Sequence, residues 1–197
     1  SSSWFRTLVS VLEATGWEQL SCDKALFVKR DKSGKLCGIL PVHVDDGKLR
    51  ATRQCADELF AAFKKAGIIL GTVEEQRMGV PVEFTGMQFT ETAEGELISQ
   101  SIYISNKLKE IDTTRVRGVN DDEMLQPDLA KEYATAIGRL MWILPTQAKY
   151  SYEISYLSRY RAFPRVKHFK RVRNLIHAIK TNPQTVFLPR FRPGTKV

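Results

Sequence analysis

The spacing of apolar side chains predicts a helix followed by a β-hairpin at the start of the chain. Residues 4–15 place Trp, Phe, Leu and Val at helical spacing, and Gly16 follows where a helix would end. Farther along, the apolar runs 25–29 and 36–40 flank Asp31-Lys32-Ser33-Gly34. Residues of these types are typical of a tight turn, so the two runs are predicted to pair as antiparallel strands.

The second of these apolar runs ends at a pair of carboxylates. It continues through Val42-His43-Val44 and stops at Asp45-Asp46-Gly47, after which residues 48–51 can return antiparallel. Asp45 and Asp46 are therefore predicted to lie at a strand-to-strand turn. An amphipathic helix over 54–66 follows, with Gly67 at its C-terminal end.

The middle of the chain predicts a second hairpin and then a linker. Residues 82–89 alternate between apolar and polar with period two, and the turn residues 93–96 connect them to a strand over 97–100. Residues 102–111 have helical spacing. Residues 112–129 are polar, acidic in their middle and interrupted by glycine and proline, a composition typical of a linker between subdomains.

Three helical stretches predict a separate helical part after this linker. They cover about 130–145, 149–162 and 165–180, and Pro145 and Pro164 separate them. The order of elements predicts an α+β protein with antiparallel sheets and packed helices, rather than a doubly wound parallel sheet. The predicted organisation is a sheet-containing region over 1–111, the linker over 112–129, a basic helical subdomain over 130–181 and an extended basic tail over 182–197.

Composition excludes several classes of protein. The chain of 197 residues is 43% hydrophobic and 26% charged, which is enough apolar material for a core and argues against extensive disorder. Its apolar runs are shorter than the roughly 18 residues that a membrane span requires, which predicts no membrane insertion. Cys22, Cys37 and Cys55 are odd in number and widely spaced, a pattern that argues against a disulfide framework and is compatible with a reducing, intracellular compartment.

Positive charge is concentrated in the last third of the chain. Residues 131–197 hold 14 Lys and Arg against two acidic residues, a formal +12, whereas residues 1–130 hold 16 basic and 20 acidic side chains, a formal −4. Such segregation favours a polyanionic partner. The densest cluster, interleaved with aromatic side chains, has seven cations within 15 residues. These cations are predicted to bind nucleic-acid phosphates: Arg159, Arg161, Arg165, Lys167, Lys170, Arg171 and Arg173.

The same region permits an ordinary packing interpretation. Apolar residues within 163–179, including Phe163, can form a core face while the charges only solvate the opposite face. Few acidic residues stand nearby to balance that charge, which favours contact with a polyanion. The tyrosines between 150 and 160 recur at helical spacing and are interpreted as packing residues. His168 and His177 are predicted to lie on a helix surface or rim, away from any zinc site.

The paired carboxylates at the predicted turn suggest a divalent cation. Adjacent carboxylates repel each other, and hard Mg²⁺ accepts oxygen ligands from one or two carboxylates together with substrate phosphates. Asp45 and Asp46 are therefore candidate metal ligands. Two alternatives remain open, because Asp-Asp-Gly is also a common exposed turn sequence and because Lys48 and Arg50 can form ion pairs with the two aspartates.

Several segments, in the same order, resemble the copia-type retrotransposon branch of the reverse transcriptases. His43-Val44-Asp45-Asp46, at the end of an apolar strand, is similar to the aromatic-Val-Asp-Asp hairpin of that family. Residues 133–142 resemble its Tyr-Arg-x-x-Ile-Gly-Ser-Leu-Met-Tyr stretch. Residues 157–160, with Pro164 and His168, resemble its Leu-Ser-Arg-Phe…Pro…His pattern. Two further segments are similar to the primer-grip hairpin and the first thumb helix, namely residues 84–89 and 98–103.

The resemblance implies a truncated reverse-transcriptase palm, an antiparallel sheet with packed helices, followed by thumb-like helices. In an active enzyme it also implies two Mg²⁺ ions, with Asp45 as a catalytic ligand and Asp46 as its weaker neighbour. The family's other metal-binding aspartate and its fingers precede the part that residues 4–17 resemble, and no ribonuclease H module is present. His43 stands where the family has an aromatic residue.

The function expected from these features is noncatalytic. An incomplete metal site and a basic C-terminal third predict a subunit of a larger ribonucleoprotein, without a cofactor, that contacts RNA or an RNA/DNA hybrid and has protein neighbours. One alternative is an RNA-directed DNA polymerase that uses Mg²⁺ and receives its missing parts from upstream residues or another chain. The other is a scaffold piece that contacts only proteins. The sequence favours neither the cytoplasm nor an organelle.

Overall fold

In a computed structural model of the chain, which describes residues 2–190, helices and antiparallel strands form two units. The first unit ends at Glu75 and the second begins at Gln76. The described residues contain six α-helices and two antiparallel sheets, so the protein belongs to the α+β class, as the sequence predicts. Each unit is built around its own hydrophobic cluster.

The first unit is a five-stranded antiparallel sheet with two helices. Its helices are α1 (Ser2–Ala14) and α2 (Arg53–Lys65), and its strands are β1 (Trp17–Gln19), β2 (Leu26–Arg30), β3 (Leu36–His43), β4 (Asp46–Gly47) and β5 (Arg50–Ala51). β2 and β3 form the predicted hairpin. β1 pairs with β2, and both β4 and β5 pair with β3, which therefore lies in the interior of the sheet.

Both helices of the first unit contribute apolar side chains to one core. Leu12 on α1, Trp17 on β1 and Leu59 on α2 are almost completely buried. Gly38 on β3 makes this packing possible, because an added Cβ would lie 2.6 Å from Cη2 of Trp17 and 2.9 Å from Sγ of Cys55. The absence of a side chain at this position thus leaves room for the indole ring.

The second unit combines a four-stranded antiparallel sheet with a helical core. Its strands are β6 (Pro81–Phe84), β7 (Met87–Glu91), β8 (Gly95–Ser99) and β9 (Val186–Pro189), paired in that order. Its helices are α3 (Ser101–Lys107), α4 (Pro127–Trp142), α5 (Ser151–Ser158) and α6 (Val166–Thr181), with 3₁₀ turns at Thr114–Val116 and Ala148–Tyr150. The predicted helical stretches 130–145 and 165–180 are confirmed as α4 and α6, whereas α5 covers only the middle of the stretch predicted over 149–162.

The core of the second unit lies among α4, α5 and α6. Tyr133, Ile137 and Phe169 are completely buried there. The Tyr133 hydroxyl donates a hydrogen bond of 2.6 Å to the carbonyl oxygen of Leu157, so the one polar atom of this ring is satisfied. None of the helices within residues 2–190 has the length and apolar character needed to cross a membrane.

Residues 82–89, predicted as one strand, form a hairpin instead. β6 ends at Phe84 and β7 begins at Met87, and these two residues pair with each other. Between them Thr85 and Gly86 have φ of +52° and +73°, as a two-residue type I′ turn requires. A two-residue loop shifts the alternation by one position, so the apolar residues change from 82 and 84 to 87 and 89. The prediction of one strand overlooks this shift, and threonine is not a typical residue for such a turn.

The prediction of a linker over 112–129 is wrong, because apolar residues of this segment are buried. Val116, Leu125 and Leu129 belong to the core of the second unit, and the chain divides into its two units at Glu75 and Gln76 instead. An apolar residue placed every few positions among polar ones is enough to attach a segment of irregular backbone to a core. Residues 112–129 are therefore part of the second unit.

The predicted basic tail over 182–197 joins the sheet in its described part. Val186–Pro189 forms β9 and pairs with β8, while residues 191–197 lie outside the described residues. Gln147, which is completely buried, anchors the approach to this strand: its Nε2 donates to the carbonyl of Gln184 over 2.9 Å, and its Oε1 accepts from the backbone N–H of Gln184 over 3.0 Å. The Gln147 side chain thus pairs with both backbone polar groups of Gln184, as a neighbouring strand would.

Candidate nucleic-acid interface

Asp45 and Asp46 lie on an exposed turn at the end of β3. His43 pairs with Asp46, so Val44 and Asp45 form a two-residue loop. Val44 has a φ of +55°, a left-handed conformation that costs a β-branched residue about 1–2 kcal/mol. The structure therefore places Asp45 and Asp46 at a strand-to-strand turn, as the sequence predicts.

This turn does not supply a complete metal site. Among residues 2–190, no three His, Cys, Asp or Glu side chains lie together in a group that could hold a metal ion. Asp45 and Asp46 can therefore contribute at most two protein ligands, and Mg²⁺ would take its remaining oxygens from substrate and water. The two-metal arrangement implied by the resemblance needs a further carboxylate.

The seven predicted nucleic-acid-binding cations lie on two consecutive stretches of the second unit. The first is the α5–α6 connection, residues 159–165, which follows the last helical residue of α5. The second is the solvent-facing side of α6, whose opposite side is buried. The connection carries Arg159, Arg161 and Arg165, and the helix carries Lys167, Lys170, Arg171 and Arg173.

Acidic residues of the predicted linker neutralise two of the cations on α6. Lys167 Nζ lies 2.6 Å from Oδ1 of Asp122, and Lys170 Nζ lies 2.6 Å from Oδ1 of Asp121. The hydrogen bond from Lys167 lowers the pKa of Asp122 and keeps this carboxylate charged. The sequence predicts that few acidic residues balance the basic cluster, and this prediction is therefore wrong for α6.

Two further cations are also engaged within the protein. Arg171 forms an ion pair with Glu153 on α5, and its guanidinium lies 4.7 Å from the centroid of the Tyr156 ring. Arg165 donates from Nη1 to the carbonyl oxygen of Asp122 over 2.7 Å. Four of the seven predicted cations thus take part in internal contacts that an RNA phosphate would have to share or replace.

The acidic segment lies here because its backbone satisfies the start of α6. The N–H of Val166 donates to the carbonyl of Glu123 over 3.0 Å, and the N–H of Lys167 donates to the carbonyl of Asp121 over 2.9 Å. The first N–H groups of a helix have no partner within the helix, and its N-terminus favours negative charge. These partners are more than 40 residues apart in sequence, so no local pattern predicts the contact.

Three cations of the cluster keep their charge available. Within the described residues, Arg159 and Arg161 form no side-chain hydrogen bond or ion pair, and Arg173 bonds only to the amide of its neighbour Asn174, over 3.2 Å. Arg159 and Arg161 belong to the α5–α6 connection, whereas Arg173 lies farther along α6. The part of the basic cluster that is free to bind an anion is therefore smaller than the sequence predicts.

The aromatic residues of the cluster are divided between core and surface. Phe169 and His168 are buried, and Tyr160 stacks on the His168 ring with 3.8 Å between the ring centroids. Phe163, predicted as part of the core face, is 73% exposed, and Tyr152, one of the tyrosines interpreted as packing residues, is 76% exposed. Phe163 follows Arg161 by two residues in the α5–α6 connection, and its ring is open to solvent.

His168 lies inside the second unit, which corrects its predicted place on a helix surface. Its Nδ1 accepts a hydrogen bond of 3.1 Å from the backbone N–H of Arg165, so the neutral ring carries its proton on Nε2. Nε2 is buried and has no hydrogen-bond partner among residues 2–190. Burial is the main cause that lowers the pKa of His168, and the cations of Lys167, Arg165 and Arg171 lower it further, against a smaller effect of Asp122.

Acidification from pH 7 to pH 5 is expected to destabilise the second unit through His168. Because its pKa is lower in the folded than in the unfolded chain, the unfolded chain binds a proton first once the pH falls below about 6.5. The free energy of unfolding then falls by at most about 1.4 kcal/mol per pH unit. Urea unfolding of the wild type and of His168→Asn across this range measures the effect. Equal pH dependence in both proteins would contradict it, and His177→Asn is the control.

Comparisons with known proteins assign no function to this interface, so its interpretation depends on its own residues. No protein-family model, curated protein or solved structure matches the chain. The α5–α6 connection carries the exposed Phe163 together with Arg159 and Arg161, which have no side-chain partner among residues 2–190.

Proposed function

We propose that the protein is a noncatalytic, RNA-contacting subunit of a larger ribonucleoprotein assembly and that it derives from a copia-type reverse transcriptase. The observation that carries the RNA contact is the α5–α6 connection, where Arg159 and Arg161 have no carboxylate partner within the described residues and Phe163 is exposed. The reverse-transcriptase origin is supported by the resemblance of residues 43–46 and 133–142 to motifs of that family.

Each group of the α5–α6 connection has a distinct role in this proposal. Arg159 and Arg161 bind backbone phosphates, and the release of counterions from the RNA makes that contribution dependent on salt. Phe163 stacks on an unpaired base, a contact worth about 1–3 kcal/mol that is largely independent of salt and of base identity. The surface is therefore suited to single-stranded or looped RNA rather than to a uniform duplex.

The carboxylate turn supports the noncatalytic part of the proposal. Phosphoryl transfer depends on metal ions that are positioned together against the reacting phosphate. Asp45 and Asp46 are exposed, and the described residues bring no third carboxylate to them. By resemblance the turn is a remnant of the catalytic hairpin, retained here as a structural connection between β3 and β4.

Loss of the free charges of the α5–α6 connection is expected to weaken RNA binding in a salt-dependent way. A 20-nucleotide single-stranded RNA is titrated at several salt concentrations with the wild type, Arg159→Gln/Arg161→Gln and Phe163→Ala. The double variant is expected to reduce the slope of log K against log salt by about 1.4, which corresponds to two phosphate contacts. Phe163→Ala is expected to weaken binding by about 5-fold or more with an unchanged slope.

Controls separate this surface from general basicity. Arg53→Gln removes an exposed cation of the first unit that is paired with Asp57, and it is expected to leave affinity and slope unchanged. Wild-type binding no tighter than that of an acidic protein at low salt would overturn the RNA contact. Primer extension with Mg²⁺ that is lost in Asp45→Asn would replace the proposal by an active RNA-directed DNA polymerase.

Protein neighbours form the second part of the proposal, and they are favoured by an exposed apolar segment of the first unit. Ile69 is 95% exposed and Val73 is 60% exposed, and both lie in irregular backbone after α2. Single exposed apolar residues are ordinary, whereas several within a short segment are typical of a contact with another protein. This segment is the part of the first unit that we expect to contact a neighbour.

A further inference from the structure

A second basic surface of the second unit lies away from the α5–α6 connection. It is a shallow groove of about 400 Å³ between the 3₁₀ turn Thr114–Val116 and the solvent-facing side of α6. We call it the Arg117–Arg173 groove after its two arginines. Its lining also includes Thr113, Gly118, Lys170 and Asn174.

The fold brings these residues together from segments that are about 50 positions apart. Val116 and Val172 are both buried in the core of the second unit, which fixes the 3₁₀ turn beside the middle of α6. Lys170, Arg173 and Asn174 follow each other at the i, i+3 and i+4 spacing and therefore lie on one face of the helix. The sequence indicates the cations of α6, but it does not indicate that Arg117 joins them.

The groove is positively charged, because it is lined by cations and, among residues 2–190, by no carboxylate. Asp112, the acidic residue that precedes the turn, accepts hydrogen bonds from both the N–H (2.9 Å) and the hydroxyl (2.6 Å) of Thr114, which lower the pKa of Asp112. Asp121 neutralises Lys170. Arg117 has no side-chain partner among residues 2–190, and Arg173 bonds only to Asn174. Two arginines therefore remain to hold an anion.

The donors around the two arginines match a phosphate group. Guanidinium groups donate two parallel hydrogen bonds to phosphate oxygens, and the Asn174 amide adds a neutral donor at the same place. The hydroxyl of Thr113 has no hydrogen-bond partner within the described part of the chain and lies in the lining. Gly118 adds no steric barrier, because a Cβ at this position would meet no atom within 4 Å.

We propose that the Arg117–Arg173 groove binds a backbone phosphate of the RNA that the α5–α6 connection contacts. This step rests on the proposed function, because RNA is the source of the phosphate. A site on the middle of α6, together with one at the start of that helix, extends the contact along the strand beyond the reach of Arg159 and Arg161. Arg117 becomes a nucleic-acid contact that lies outside the basic cluster of the sequence.

Removal of both arginines tests the groove. Arg117→Gln/Arg173→Gln is expected to reduce the slope of log K against log salt by about 1.4 for a 20-nucleotide single-stranded RNA and to weaken binding most at low salt. Both side chains are exposed, so the variant is expected to fold with an unchanged thermal midpoint. Arg77→Gln, which removes an exposed arginine of the same unit outside the groove, is expected to behave as the wild type.

The possible outcomes distinguish a failure of the groove proposal from a failure of the proposed function. Wild-type RNA binding that is unaffected by Arg117→Gln/Arg173→Gln would overturn the groove and leave the α5–α6 connection as the interface. Absence of wild-type RNA binding would overturn the proposed function and with it RNA as the source of the phosphate. In that event NMR titration with inorganic phosphate decides the groove: shifts at Arg117 and Asn174 that are lost in the double variant support it, and their absence overturns it.

Discussion

Gly38→Ala is expected to destabilise the first unit by about 1–3 kcal/mol, the typical cost of forcing an added methyl group into a packed core. Its Cβ would lie 2.6 Å from the Trp17 ring and 2.9 Å from Cys55 Sγ. Neither neighbour can move away cheaply, because Trp17 is 2% exposed and Cys55 is 3% exposed. The strand that must shift is β3, which also carries the turn with Asp45 and Asp46.

The free energy of unfolding from urea denaturation measures this effect, and amide hydrogen exchange assigns it to the first unit. Gly71→Ala is the matched control in the same unit, because a Cβ there would meet no atom within 4 Å. The control is expected to be neutral or slightly stabilising. Equal stability of Gly38→Ala and Gly71→Ala would show that the core of the first unit is not packed around Gly38.

Gly95→Ala is expected to detach β9 from β8 in the second unit. An added Cβ would lie 2.1 Å from the carbonyl oxygen of Leu188, a backbone atom that cannot rotate away. The two strands would have to separate at the pair formed by Gly95 and Pro189, with loss of neighbouring ladder hydrogen bonds. We expect hydrogen-exchange protection of the β9 amides to fall at least about 10-fold, a change of about 1.4 kcal/mol.

Gly138→Ala is a control in the same unit, and it is expected to change stability in the opposite direction. Gly138 lies within α4 and a Cβ there would meet no atom within 4 Å, so alanine is expected to stabilise the helix by about 0.5–1 kcal/mol. Protection of β9 should be retained in this variant. A Gly95→Ala protein in which β9 stays protected would contradict the close approach of the two strands.

Local patterns predict most of the regular elements correctly. The helix at the N-terminus, the β2–β3 hairpin and the helices α4 and α6 have strong periodicity, because each places one apolar face against a core. Two strand regions are exceptions: the hairpin within 82–89, whose change of phase at Thr85-Gly86 was overlooked, and β9, which lies in the predicted tail. β9 is held by pairing with the distant strand β8, which local periodicity does not report.

The candidate site is predicted less completely than the fold. Clustered arginines and lysines are visible in the sequence, but their effective charge depends on partners from distant segments. Asp121 and Asp122 neutralise Lys170 and Lys167 only because the acidic segment satisfies the first N–H groups of α6. Arg117 joins the groove for a similar reason, since burial of Val116 holds it beside that helix.

By itself the sequence determined the α+β class, the paired carboxylates at a turn and the concentration of positive charge on the last helices, because these follow from local spacing and composition. Only the tertiary structure decided the division at Glu75 and Gln76, the burial of His168 and the exposure of Phe163. It also decided which cations remain free. The physical reason is that burial and ion pairing are set by contacts between segments distant in the chain, and single-sequence periodicity carries no information about such contacts.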